Sequence, residues 1–148
     1  MDGCTGYALD AAARSAEGGM IWMAKYIARK IKIKVFAALC SHSLNMMDGC
    51  VPYPCTVIAR RLNISVYQAR KAMKALVGEG LAQRTSCVLE PEECALPYHG
   101  FTITDAAKKT AIYRYQARKE ARICAECFGF PEEEFYWSLC GEKPPKGE

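Results

Sequence analysis

Histidine is scarce in this chain, and the residue patterns that carry catalysis are missing. The 148 residues include two histidines, His42 and His99, and neither is spaced with a nucleophile or a carboxylate. No G-x-S-x-G elbow, phosphate-binding loop or dinucleotide fingerprint occurs. The acidic runs Glu92-Glu93 and Glu132-Glu133-Glu134 are typical of solvated faces rather than of acid–base pairs. The sequence therefore predicts a protein that is not an enzyme, and it indicates no cofactor.

Uninterrupted apolar runs are also missing. The most apolar stretch near the start, residues 20–39, is broken by the bases Lys25, Arg29, Lys30, Lys32 and Lys34. Such a segment cannot cross a membrane. The chain opens with Met1-Asp2-Gly3-Cys4, which provides neither the basic start nor the apolar segment of a secretion signal. We therefore expect a cytoplasmic protein with no membrane partner.

Cysteine, by contrast, is abundant. Nine cysteines in an odd count and at irregular spacing argue against a secreted disulfide framework, so we expect reduced thiols. Cys124-Ala125-Glu126-Cys127 is the one pattern that resembles a metal site, but zinc needs two further ligands. The candidates for those ligands are Cys87, Cys94, His99 and Cys140. Because no second Cys-x-x-Cys pair is present, and two cysteines three residues apart in a helix can simply pack, no metal site is predicted.

The net charge of +4 conceals an uneven distribution of charge along the chain. Residues 25–84 contain eleven Lys or Arg and two acids, Asp48 and Glu79, whereas residues 85–148 contain eight bases and eleven acids. The first of these segments therefore carries a surplus of nine positive charges. A local surplus of this size is typical of a surface that binds phosphates.

The most informative segment lies inside that basic region, at residues 55–85. It predicts a short helix, a tight turn at Asn63-Ile64-Ser65, and a longer helix with Ser65 as its N-cap. Ala69, Ala72, Met73 and Leu76 follow the spacing of one buried helix face. Gly78 and Gly80 end the helix. A helix with an apolar seam and a basic outer face can lie in a DNA groove, although an ordinary solvated amphipathic helix has the same pattern.

The order of these segments resembles a known family. Residues 35–103 are similar to the winged helix-turn-helix regulators of bacterial, phage and plasmid origin. The matching segments are Phe36-Ala37-Ala38-Leu39, Asp48-Gly49, Val51-Pro52-Tyr53-Pro54, residues 58–65, Ala72-Met73-Lys74-Ala75-Leu76, Glu79-Gly80-Leu81 and Gly100-Phe101-Thr102-Ile103-Thr104. The resemblance implies a mainly α (α+β) fold, a winged helix-turn-helix with a small antiparallel wing sheet and a long C-terminal helix.

The resemblance also implies a function: sequence-specific binding of double-stranded DNA, as in a transcriptional regulator, with the helix of residues 65–77 in the major groove. The predicted DNA-contacting residues are the outward polar and basic side chains Arg60, Arg61, Ser65, Tyr67, Gln68, Arg70, Lys71 and Lys74. Gln68 and Arg70 would reach base edges, because glutamine suits adenine and arginine suits guanine. The others would contact phosphates or flank the groove.

Two other functions stay open. Similar domains occur in replication-accessory proteins, and a phage or mobile-element protein could use the fold to bind and inhibit a host protein such as a defence nuclease. The predicted wing favours a protein partner. Its strands, residues 85–89 and 99–103, enclose an acidic loop at residues 90–97, and no Lys or Arg occurs from residue 85 to 107. Because acids repel phosphates, we expect the wing to point away from DNA or to contact protein.

Residues 105–140 are predicted to form a helical extension. Thr104-Asp105 is a capping sequence for a long helix of residues 105–128. Its apolar stripe consists of Tyr113, Ala117, Ala121, Cys124 and Phe128. This stripe either supplies a homodimer contact or folds back onto its own domain. A short helix at residues 132–139 would place Phe135, Tyr136 and Trp137 against a core or an interface, and residues 141–148 are predicted to be a flexible tail.

Residues 1–29 are predicted to be an N-terminal extension of a domain that spans residues 30–104. Residues 8–16 favour a helix, and Gly18-Gly19 favours a break after it. The apolar patch at residues 20–26 would dock on the domain or on a second subunit. Lys30-Ile31-Lys32-Ile33-Lys34 alternates with the period of a strand, but the family resemblance favours the first turn of a helix there.

Overall fold

The computed structural model describes residues 5–45, 51–88 and 97–143 of the chain. Within these ranges the chain forms five α-helices, one short 3-10 helix and a two-stranded antiparallel sheet. The elements are α1 (Thr5–Leu44), α2 (Cys55–Leu62), α3 (Val66–Gly78), β1 (Ala82–Val88), β2 (Pro97–Ile103), the 3-10 helix Ala106–Lys109, α4 (Ala111–Phe128) and α5 (Glu132–Cys140). This confirms the prediction of a mainly helical chain with a small antiparallel sheet. The expected loop at Asp48-Gly49, residues 90–96 of the predicted acidic loop 90–97, and residues 144–148 of the predicted tail lie outside the described residues.

The first helix is far longer than predicted. Helix α1 runs for 40 residues, so the break expected at Gly18-Gly19 is wrong. A glycine in a helix costs about 1 kcal/mol relative to alanine, which weakens a helix without ending it. The strand period at Lys30-Ile31-Lys32-Ile33-Lys34 is also overruled, because Ile31 packs against the core on the same side of the helix as the buried Val35. The preference for helix over strand at these residues is confirmed.

The core lies where α1, α2, α3 and α4 meet. The C-terminal part of α1 packs on α3 and α4, and α2 packs on α3. Leu39, Ile58, Met73 and Leu76 are almost completely removed from solvent at this junction. The sheet attaches through an isolated bridge, in which Tyr53 and Phe101 exchange backbone hydrogen bonds of 2.9 and 3.0 Å. The hairpin is therefore held beside the start of α2.

The C-terminal helix begins later than predicted. Thr110 has an extended backbone, and its Oγ1 accepts a hydrogen bond from the backbone N–H of Tyr113 at 3.2 Å, so α4 begins at Ala111. Thr104 instead starts the short 3-10 helix: its Oγ1 accepts from the N–H of Ala107 at 3.4 Å. The helix expected to begin at Asp105 is corrected accordingly.

The apolar stripe of α4 is used within the chain. Its first four members are buried and contribute to packing against α1 and α5, while Phe128 is 65% exposed. Helix α5 confirms the predicted short helix, and its Tyr136 is buried with Phe135 and Trp137 packed on the core. Of the two roles proposed for the stripe, folding back onto its own domain is the one seen. The dimer contact predicted for residues 105–140 therefore loses its structural basis.

Burial of Tyr113 and Cys40 makes the fold sensitive to alkaline pH. Tyr113 is 2% exposed, and its hydroxyl donates to the carbonyl oxygen of Leu139 at 2.6 Å. Burial raises the pKa of Tyr113 from 10 to about 12 and that of the Cys40 thiol from 9 to about 12. Between these values the unfolded chain ionises while the folded chain stays protonated. Stability is therefore complete below pH 9 and falls as the pH rises towards 12.

Replacing Tyr113 with phenylalanine should flatten this alkaline decline above pH 10. The same change should cost about 1 kcal/mol at pH 7, because the hydrogen bond to Leu139 is lost. Urea unfolding at a series of pH values measures both effects. Tyr115, which is exposed on the same helix, provides the control: Tyr115→Phe should leave the curve unchanged. An unaltered alkaline slope in Tyr113→Phe would contradict the assignment.

Candidate nucleic-acid interface

The turn between α2 and α3 forms as the sequence predicts. Asn63 ends α2 in the left-handed region, with φ 55° and ψ 47°, a conformation that asparagine tolerates better than most residues. The N–H of Ile64 donates to the carbonyl of Ala59 at 3.0 Å, which closes the helix end. Ser65 then returns to extended backbone and precedes the first residue of α3. The predicted tight turn at these residues is confirmed.

Ser65 and Gln68 form a reciprocal capping box at the start of α3. The Oγ of Ser65 accepts from the backbone N–H of Gln68 at 3.0 Å, and the Oε1 of Gln68 accepts from the backbone N–H of Ser65 at 3.0 Å. The N-cap predicted for Ser65 is confirmed. The role of Gln68 in the box was missed, although Ser-x-x-Gln is a recognised signature for it. A bidentate contact of Gln68 with adenine would use the same amide oxygen that accepts from Ser65.

The two sides of α3 differ as expected. Ala69, Ala72, Met73 and Leu76 are buried, which confirms the predicted apolar seam. Tyr67, Lys71 and Lys74 point away from the core, and Tyr67 is 72% exposed. The other two predicted contacts within α3, Gln68 and Arg70, lie on the flanks of the helix. Arg70 lies on the side of the hairpin, and Gln68 lies on the side of α1.

A basic cleft of about 500 Å³ lies between α3 and the hairpin. Arg70 and Lys74 line it from the helix, and Arg84 and His99 line it from the two strands. Sequence reasoning missed Arg84 and His99 as members of this site. Their place follows from strand register, since Arg84 pairs with Phe101 and Ser86 with His99, which puts both residues on the same face of the hairpin. The alternation of side chains along each strand could have placed Arg84 and His99 on one face, but only with the pairing register of the two strands known.

A second groove, of about 630 Å³, lies between α3 and the middle of α1. Its floor is apolar and includes Ile27, Ile31 and Ala72, while Lys25, Arg29 and Lys71 stand along it. Helix α3 therefore presents basic side chains towards both flanks, Arg70 and Lys74 beside the hairpin and Lys71 beside α1.

Among the described residues of the segment 25–84, almost all of the Lys and Arg side chains have no acidic partner. Among the described residues, Lys32 is the one base of the segment 25–84 that is paired with an acid, Glu79, at 3.0 Å. In the C-terminal part, ion pairs with acids involve four of the bases: Lys108, Arg114, Arg118 and Arg122. Arg61 donates to the hydroxyl of Tyr53 at 3.2 Å, and Arg60 is exposed. The basic surplus is thus available to an external anion.

Cys124 and Cys127 lie on α4, and His42 packs against the segment that precedes α2. Cys124 is buried, and burial together with nearby Glu120 raises the pKa of its thiol, while Cys127 is exposed one turn further along α4. No group of three or more His, Cys, Asp or Glu in the described ranges is arranged to hold a metal; Cys94 lies outside them. The ring of His42 stacks on Tyr53 at 4.1 Å, and its Nε2 lies 2.7 Å from the carbonyl oxygen of Val51.

The chain was compared with protein families, curated proteins and solved structures. No protein-family model, no curated protein and no solved structure is significantly similar to the chain. Across the described parts of the chain, no helix has the length and apolarity needed to cross a membrane.

Proposed function

We propose that this chain binds double-stranded DNA sequence-specifically through α3, as a transcriptional regulator with a winged helix-turn-helix mode of docking. The observation that carries the proposal is the uncompensated basic outer face of α3, formed by Lys71 and Lys74 beside the exposed Tyr67. A helix that buries one seam and exposes bases on the other can enter a major groove about 12 Å wide. The order of α1, α2, α3 and the hairpin supports the same docking mode.

The two flanks of α3 match the two phosphate rows that border a major groove. On the hairpin side, Lys74 and Arg84 would contact the phosphates of one strand. On the side of α1, Lys71 with Arg29 would contact the other strand. The capped N-terminus of α3 is exposed at Ser65, where unpaired backbone N–H groups favour a phosphate. Because the amide of Gln68 is engaged at this helix start, base reading falls mainly to Arg70.

The first experiment is fluorescence polarisation of the intact protein with a random duplex at low salt, followed by selection of bound duplexes from a random pool. We expect binding whose affinity falls steeply as salt is raised, because phosphate contacts release counterions. Enrichment of one sequence is expected after selection. If the intact, folded protein does not bind duplex at low salt, the proposal fails. If it binds but no sequence is enriched, the regulator part of the proposal fails.

Replacing Lys74 alone with alanine gives a finer prediction. The slope of log affinity against log salt should fall by about 0.9, the value for one lost phosphate contact. Lys109 provides the matched control, because it is also exposed and has no acidic partner among the described residues. Lys109→Ala should leave the slope unchanged. Equal slopes for Lys74→Ala and the unmodified chain would remove Lys74 from the interface.

A further inference from the structure

The basic cleft between α3 and the hairpin is a concave site whose charged side chains come from three elements. Arg70 and Lys74 line it from α3, Arg84 lines it from β1, and His99 lines it from β2. Among the described residues that line the cleft, none is acidic. Its three cationic side chains form no ion pair with another described residue. Three positive charges therefore face one volume without compensation.

The secondary structure holds these side chains close together. Arg84 pairs directly with Phe101, and His99 lies two residues before Phe101 on the same face of β2. The Cα atoms of such diagonal neighbours are about 7–8 Å apart, a separation that long side chains can span. On α3, Arg70 and Lys74 are one helical turn apart. Because all four side chains line one cleft of about 500 Å³, a single small ligand can contact them.

The start of α2 also lies in the cleft, at Cys55 and Thr56. Pro54 precedes this helix and provides no side-chain cap, so the helix start adds to the attraction for an anion. Burial raises the pKa of the Cys55 thiol, and the nearby charge of Arg70 opposes this rise. The guanidinium of Arg70 therefore acts on the same end of the cleft as the start of α2.

The cleft has an apolar wall beside its charged groups. Val77 lines it one turn beyond Lys74 on α3, and Phe101 lines it from the hairpin, opposite Arg84. Sites for small organic ligands have volumes of about 300–1,000 Å³ and combine apolar walls with a few polar groups. The volume of this cleft, about 500 Å³, lies within that range. Its lining therefore suits a molecule that has an anionic group and an apolar body.

We propose that this cleft binds a small phosphate monoester with an aromatic or apolar body, and that the bound molecule competes with DNA. Near neutral pH a monoester phosphate carries a charge of about −1.5 to −2, whereas each phosphate of DNA carries a single negative charge. Three uncompensated cations therefore favour the monoester. Binding of the monoester is independent of the proposed function. Competition rests on that function, because Arg70, Lys74 and Arg84 are also assigned to DNA there.

The first test is an NMR titration of the full chain, free of nucleic acid, with phenyl phosphate at constant ionic strength and about pH 7.5. The ring protons of His99 should shift, and those of His42, which lies on α1, should not. Methyl phenyl phosphate is the control ligand, since this diester has the same ring and one negative charge. Its Kd should be at least about tenfold higher, because charge-assisted hydrogen bonds weaken.

Variants test the position of the ligand. Arg84→Ala should raise the Kd for phenyl phosphate about tenfold, because a charge-assisted contact is lost. Arg122→Ala is the matched control: Arg122 is exposed on α4, outside the cleft, and its removal costs the chain the same charge. That variant should leave the Kd within about twofold, because distant charges are screened. Both side chains are exposed, so circular dichroism should show unchanged helix content.

The second test is competition. Phenyl phosphate at about ten times its own Kd should raise the apparent Kd for duplex about tenfold, with the diester at equal ionic strength as the control. If the chain does not bind duplex, the proposed function fails and the NMR titration still tests the cleft. Unchanged duplex affinity in the presence of bound phenyl phosphate would overturn the competition.

Three results would overturn the ligand site itself. The first is the absence of a His99 shift at millimolar phenyl phosphate. The second is equal affinity for monoester and diester, which would assign the cleft to the backbone phosphates of DNA. The third is equal weakening by Arg84→Ala and Arg122→Ala, since the effect would then come from net charge.

Discussion

Replacing Lys71 and Lys74 together with alanine should lower the affinity for a selected duplex about 100-fold at roughly 0.1 M salt. Both side chains are exposed on the outer face of α3, and neither has an acidic partner among the described residues. The double variant should therefore fold normally while losing two charge contacts. The slope of log affinity against log salt should fall by about 2, since each phosphate contact contributes about 0.9. Polarisation titrations at several salt concentrations measure both quantities.

The matched control removes the same charge from another part of the surface. Lys109 and Lys119 are exposed and lie on the C-terminal half of the chain. Lys109→Ala with Lys119→Ala should leave the affinity within about twofold, because distant charges are screened by salt. If both double variants weaken binding equally, the effect comes from net charge, and α3 is not the contact surface. If neither weakens it, DNA is bound elsewhere on the chain.

The helix-turn-helix segment could be predicted from sequence because its signals are local. Asn63 and Ser65 specify the turn through their own backbone preferences and hydrogen bonds, and the 3, 4, 7 spacing from Ala69 specifies the buried face. These features depend on residues a few positions apart, so one sequence is enough to find them. The two strands were predicted to begin at residues 85 and 99, whereas they begin three and two residues earlier, at Ala82 and Pro97.

The predictions that were wrong or incomplete concern features that depend on contacts between residues far apart in the sequence. The pattern at Ile31 and Ile33 fits a strand until the core shows that Ile31 faces inward and Ile33 faces solvent. The helix start at Thr110 was missed because Thr104 also provides a capping hydroxyl, which accepts from Ala107 at 3.4 Å at the start of the 3-10 helix. The sequence also left two partners possible for the apolar stripe of α4. Packing against α1 and packing against a second copy require the same apolar residues. The basic cleft combines α3 with Arg84 and His99, which requires the strand register.

Replacing Gly100 with alanine should destabilise the fold by about 3 kcal/mol or more. Gly100 lies in β2 where the strand crosses the segment before α2, and an added Cβ would lie 2.7 Å from backbone atoms of Pro52 and Tyr53. Backbone atoms cannot rotate away as a side chain can. The strand must therefore shift, and the two hydrogen bonds between Tyr53 and Phe101 are lost or strained. Urea unfolding followed by circular dichroism measures the loss.

Gly78 provides the control, because the same substitution at this position should stabilise the fold instead of destabilising it. Gly78 is the last residue of α3, and a Cβ added to it would meet nothing within 4 Å. Gly78→Ala should stabilise the chain by about 0.5–1 kcal/mol, since alanine favours helix and restricts the unfolded chain. A Gly100→Ala protein as stable as the unmodified chain would mean that β2 does not cross Tyr53 this closely. The hairpin would then be free to move relative to α3, and Arg84 and His99 could not be assigned to one cleft with Arg70 and Lys74.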